Sequence, residues 1–146
     1  MTFYTLNQIL NLIEQISNAH PQVHSYNFGQ EFEIAASEQE KYPLVWCDVA
    51  PATIEQKTLS IVVSFLVCDI QTADNRNEKD TLSDTLSISQ DIIAEIKNPA
   101  YADNFLINES IQLTAIRGGL PDFVNGWKFD IKFEVAFTSN RCQVPN

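Results

Sequence analysis

The chain has 146 residues, of which 45% are hydrophobic and 19% charged. That length suits one domain and that composition suits a folded one, which excludes a disordered tail as the whole protein. Nineteen acidic residues against nine basic ones give a formal charge of -10. This argues against tight binding to a nucleic-acid backbone or an anionic membrane surface, because both need clustered Lys and Arg.

The three cysteines, Cys47, Cys68 and Cys142, are odd in number and lack metal-ligand spacing. Cys47 and Cys68 sit in apolar, strand-like runs, where a thiol behaves as a small hydrophobe. The pattern predicts a reducing compartment and no disulfide framework. Met1 to Tyr4 carries no basic region, and the apolar run 61–68 is broken by Ser64 and far too short to span a membrane. The expectation is a protein made and kept in a cytoplasm, with no membrane partner.

Along the chain, Leu6, Ile9, Leu10, Ile13 and Ile16 recur at helical spacing with polar residues between them. This predicts an amphipathic helix capped by Thr5 and ended before Pro21. Short strands are predicted over 23–28 and 32–35, with Gly29 at the turn between them. A charged loop follows over 37–41, then a buried strand over 42–49. Residues 51–57 read as a connection at the tip of a long hairpin.

The run 59–70 is the strongest strand of the first half. Leu59, Ile61, Val63, Phe65 and Val67 share one face, while Val62, Leu66 and Cys68 make the other apolar too. Such a strand is covered on both sides, or covered on one and used in assembly on the other. Asp74 to Asp80 is polar and leads into a second helix, with Leu82, Leu86, Ile92, Ile93 and Ile96 on one side. Asn98-Pro99 closes it. A strand over 110–117, a loop over 118–126 and an alternating strand from Trp127 to Phe137 complete the order. The expected fold is a single α+β domain, mostly antiparallel sheet with two helices packed on one face. Its ordered core spans about residues 5–138, with a loose tail over 139–146.

No catalytic or metal motif stands out. His20 and His24 have the spacing of a helical metal pair, but Pro21 between them forbids that helix, and solvated loop histidines are the better reading. Asp48 and Asp69 end two strands and can face each other as a carboxylate pair, although strand-end aspartates are usually solvated or turn-forming. Gly118-Gly119 lacks the rest of a phosphate loop and reads as a turn. Trp46 and Trp127 could stack on a base, yet both lie in core-like patterns. The acidic run Asp74, Glu78, Asp80 and Asp84 lacks the glycine and spacing of a calcium loop and suits a helix N-terminus. The expectation is a non-enzyme without cofactor or metal.

Tyr42-Pro43-Leu44-Val45 opens a strand after a helix and a short hairpin, a long strand precedes an acidic loop and a helix, and Gly126-Trp127-Lys128-Phe129-Asp130-Ile131 enters the last strand. This order resembles the tail terminator and tail-completion proteins of tailed bacteriophages. The segment Pro21-Gln22-Val23-His24-Ser25-Tyr26-Asn27-Phe28-Gly29, with Tyr42-Pro43-Leu44, is most similar to neck ring proteins of crAss-like phages. The resemblance covers roughly residues 6–137.

The resemblance implies a virion protein of the neck or tail, assembled in the host cytoplasm as a ring of six or twelve copies. Its partners are then itself and neighbouring neck, tail-tube or connector proteins. Genomic DNA only passes through the channel, and acidic walls would repel its phosphates. The family has no catalytic residues to carry over. Ring closure needs heterologous interfaces, and loops on a rigid sheet can supply them. The candidates are Thr53, Ile54 and Lys57; Asp74, Asn75 and Arg76; and Leu120, Phe123 and Val124. The last three either fill a neighbour's pocket or fold back on their own domain. The alternative function is a small cytoplasmic adaptor that adds a strand along a sheet edge.

Overall fold

The computed structural model describes residues 4–29, 42–70, 78–119 and 124–136. Helix α1 (Leu6–Ala19) begins where the sequence places its cap. Thr5 Oγ1 accepts from Gln8 N at 3.2 Å and Gln8 Oε1 accepts from Thr5 N at 2.8 Å, a reciprocal capping box. The helix ends at His20, one residue before the proline that cannot continue it. Its buried residues are Ile9, Leu12, Ile13 and Ser17, so the stripe is rotated from the expected one, leaving Leu6 38% exposed.

Strands β1 (Ser25–Phe28), β2 (Leu44–Val49), β3 (Thr53–Glu55) and β4 (Thr58–Ile70) follow. Helix α2 (Glu78–Ile96) comes next, with Glu78 and Asp80 in its first turn, where the helix dipole favours negative charge. A 3-10 turn (Pro99–Tyr101) is capped by Asn98, whose Oδ1 accepts from Ala100 N at 3.0 Å. Strands β5 (Leu106–Ile107), β6 (Thr114–Gly119) and β7 (Val124–Ala136) complete the chain.

The sheet runs β1-β2-β4-β7-β5, with β3 also on β4 and β6 also on β7. Every pairing is antiparallel except β1 with β2, which are parallel from Ser25↔Leu44 to Phe28↔Cys47. The strand expected over 32–35 lies outside the described residues, as do the loop over 37–41 and the tail over 139–146. Gly29 adopts a φ of 150°, which glycine reaches at little cost. The expected α+β class, with a mostly antiparallel sheet and two helices, is the class observed.

The spine is the thirteen-pair ladder of β4 with β7, from Thr58↔Ala136 to Ile70↔Val124. On one face Ile61, Val63, Phe65 and Val67 meet Phe129, Ile131, Phe133 and Val135 under both helices. Phe65 and Phe129 stack at 4.9 Å, and Phe105 meets Phe133 edge-on at 5.1 Å. On the other face a smaller cluster joins Leu44, Trp46, Leu66, Cys68 and Val124. The double-sided apolar pattern of β4 thus reflects two clusters of one domain.

Two readings of the second half need correction. The buried stripe of α2 is Thr81, Thr85, Ile88, Ser89, Ile92 and Ile96, while Leu82 and Leu86 stay half-buried at its flank. Thr85 and Ser89 can face the core because their hydroxyls donate to carbonyls one turn back, at 2.7 and 2.8 Å. They therefore pack as small fillers. Gly118-Gly119 is no simple turn either. The register with β7 shifts between Ile116↔Gly126 and Gly119↔Val124, so β6 bulges at Arg117-Gly118 while Gly119 stays paired, and β7 starts earlier than the alternation suggests.

Candidate functional site

The described surface has three features with chemical or recognition potential: an arm, a groove between the helices, and a few polar side chains near the sheet ends. The arm is a hairpin extension. β2 and β3 pair in turn with the same strand, β4, so β3 lies against its first residues through Thr53↔Ser60, Ile54↔Leu59 and Glu55↔Thr58. Within the connection expected over 51–57, Thr53–Glu55 is therefore strand. Every residue from 51 to 57 is exposed, and Ile54 is 61% exposed. Residues directly opposite in a ladder share a face. Ile54 thus lies on the helix side with Leu59, and Thr53 and Glu55 on the other. Lys57, at the turn, has no hydrogen-bond or ion-pair partner among the described residues.

Thr53, Ile54 and Lys57 are thus exposed and adjacent. Val124 is different: it is fully buried with Leu44, Trp46, Leu66 and Cys68, and belongs to its own domain rather than to a neighbour's pocket. It is held there by its place in the ladder opposite Ile70. Asp74, Asn75, Arg76, Leu120 and Phe123 lie outside the described residues.

The groove runs between α1 and α2 and has a volume of about 800 Å³. Leu12, Ile16 and Ile92 contribute apolar lining, and Asp91 and Glu95 contribute acid. At one end, His20 Nδ1 accepts from Gln22 N at 3.1 Å, which makes its Nε2–H the donor to Asp91 Oδ2 at 2.8 Å. His20 is only 11% exposed in its side chain. It ties the C-terminal end of α1 to the side of α2 rather than being the solvated loop histidine expected. Both ring nitrogens are occupied, so in this state neither is free to act as a base or ligand. The contact joins positions 71 apart, and no local pattern announces it.

The two strand-end aspartates do not face each other. Asp48 pairs with Ser64, whereas Asp69 lies past the Leu44↔Cys68 pair at the far end of the ladder. Antiparallel pairing sets the end of one strand against the interior of the other, and the parity of the two positions puts them on opposite faces. Each accepts from the next backbone amide, Val49 N at 2.7 Å and Ile70 N at 2.8 Å. Burial raises the Asp69 carboxyl above its usual value, the Ile70 amide opposes this, and the Asp84 charge adds to it.

The tryptophans are packed and their indole N–H groups are satisfied. Trp46 donates to Gly29 O at 2.7 Å and Trp127 to Leu82 O at 2.8 Å. Cys47 and Cys68 are fully buried and not joined in a disulfide, as the apolar runs suggest. Burial pushes up both the Cys47 thiol and the Tyr26 hydroxyl bonded to it. Cys142 lies outside the described residues. Among the described residues no group of three His, Cys, Asp or Glu side chains could hold a metal ion, and no helix is long and apolar enough to cross a membrane. No family model matches the chain, and no curated protein matches it either.

Proposed function

We propose that this chain is a structural, non-catalytic subunit of a homo-oligomeric ring in a bacteriophage neck or tail, a tail terminator or head–tail joining ring through which DNA passes. The observation that carries the reading is the arm. At the end of its ladder with β7, the thirteen-residue strand β4 joins β3 through a hairpin whose tip is exposed and carries an exposed isoleucine. A short, exposed edge strand with an apolar side chain adds little stability to its own domain, and it suits contact with a second molecule. The order of helix, long strand, helix and final strand supports the same reading through its resemblance to tail terminators. The net charge of -10 suits a channel past which DNA moves without adhering.

In this reading the subunit works in the virion after assembly in the host cytoplasm, in six or twelve copies, beside neck, tail-tube or connector proteins. Negative-stain imaging of the purified chain tests it. Annular particles with a countable subunit number are the expected result. Particles of single-domain size, alone and with tail-tube or portal proteins added, would count against it.

A second reading, a small cytoplasmic adaptor, is favoured by one feature. Among the described residues β1 is the last strand on its side of the sheet, and its Phe28 is 42% exposed. An extended peptide added there would be held by main-chain hydrogen bonds. That reading expects a monomer that binds extended peptides.

A further inference from the structure

The arm and the groove are complementary, yet no arm residue lines the groove of its own copy. The arm extends from the end of the sheet where Thr58 pairs with Ala136. The groove opens to solvent between the helices, around the His20–Asp91 contact. The arm presents an apolar side chain and a cation: Ile54, 61% exposed, and Lys57, which has no partner among the described residues. The groove presents an apolar floor at Leu12 and Ile16 beside two acids, Asp91 and Glu95, and no Lys or Arg lines it. The arm's own acid, Glu55, lies on the opposite face from Ile54, so it points away from a surface that takes the isoleucine.

We propose that the arm of one copy seats in the interhelical groove of a second copy, with Ile54 against the apolar floor and Lys57 beside Asp91 and Glu95. This inference rests on the ring reading and supplies its contact. Two different patches of one chain meeting head to tail form a heterologous interface, which closes into a ring when the rotation between copies permits. Charge complementarity favours this occupant. The chain is strongly acidic, so a second copy approaches against net repulsion, and a cation on the arm facing acids in the groove offsets it locally.

Disulfide trapping tests the contact. Ile54→Cys and Ala94→Cys are made separately, each in a full-length Cys142→Ser background. Cys47 and Cys68 are buried, and Ala94 is an exposed groove residue. The two variants, one carrying a mass tag, are mixed and oxidised, and the untreated wild type is sized in parallel. The expected result is a mixed Ile54→Cys–Ala94→Cys dimer well above the half share that random pairing gives. Adding Lys57→Glu to the arm variant should slow trapping several-fold, and Glu95→Lys in the groove variant should restore it. Random pairing from a wild type that forms multimers would overturn the arm-in-groove contact and leave the ring reading standing. Random pairing from a strictly monomeric wild type would overturn the contact and a ring that forms without a template. Selective pairing from a monomer would support the contact and count against a ring that forms without a template.

Discussion

Residues 61–68 of β4 and the arm at residues 51–58 are parts of one long hairpin with opposite surroundings. The first stretch is flanked by β2 and β7, lies beneath two helices and carries side chains such as Val63 and Val67 with no exposure. The second has the same ladder bonding to β3, yet its residues 51–57 are all exposed. Backbone hydrogen bonds largely replace bonds to water, so they shape a strand without making it stable. Burial of apolar surface supplies most of the difference. One strand thus serves as a spine at one end and, in the proposed reading, as a contact surface at the other.

Substitutions in the spine should unfold the chain, and substitutions in the arm should not. The largest effect is expected at Gly126, where the ladder leaves no room for a side chain. An added Cβ would strike the Val67 carbonyl oxygen and lie 2.7 Å from the Cys68 Cα. Gly126→Val should abolish the cooperative unfolding transition by circular dichroism, and a normal transition would mean that β4 and β7 separate easily. Phe133→Ala comes next. It removes a fully buried ring and its edge contact with Phe105, and should cost about 3–5 kcal/mol in urea unfolding. A loss near zero would place this ring outside the folding core.

Asp69 should give a smaller effect with a pH signature. Its carboxyl is raised above the ordinary 3.8, first by burial and then by Asp84, so the folded chain holds that proton more tightly than the unfolded chain does. Stability therefore falls as pH rises from the unfolded value through the raised one, and the charged form is a burden at neutral pH. Asp69→Asn should unfold at a higher urea concentration than the wild type at pH 7, with the gap closing as pH falls toward 3.8. A lower midpoint at pH 7 would mean that the charge is needed there, with His24, which opposes the shift, as its partner. Ile54→Asp should have the smallest effect on stability, within about 0.5 kcal/mol, because the side chain is already in water.

What the sequence revealed follows the range of the interaction. The Thr5 cap, the Pro21 stop and the alternation of Phe129, Ile131, Phe133 and Val135 are local signals, and each matches its element. Pairing partners are non-local. Asp48 and Asp69 look alike as strand ends, but only the register shows that they occupy opposite ends of a ladder. The parallel pairing of β1 with β2 likewise depends on a long connection that no turn signal specifies. In α2 the rule that leucines face inward failed, since hydroxyls bonded to their own helix can take the core side and leave Leu82 and Leu86 at the flank. The exposed Thr53, Ile54 and Lys57 were legible as a hairpin tip. The groove was not, because its lining comes from two helices far apart in the chain.

The most direct test compares the solution mass of the wild type and Ile54→Asp by light scattering, with circular dichroism on both. Ring assembly through the arm predicts an integral multiple of 16.5 kDa for the wild type, a shift to the single-chain mass for the variant, and the same spectrum for each. A wild type at the single-chain mass, or a variant that keeps the wild-type oligomer, would contradict it.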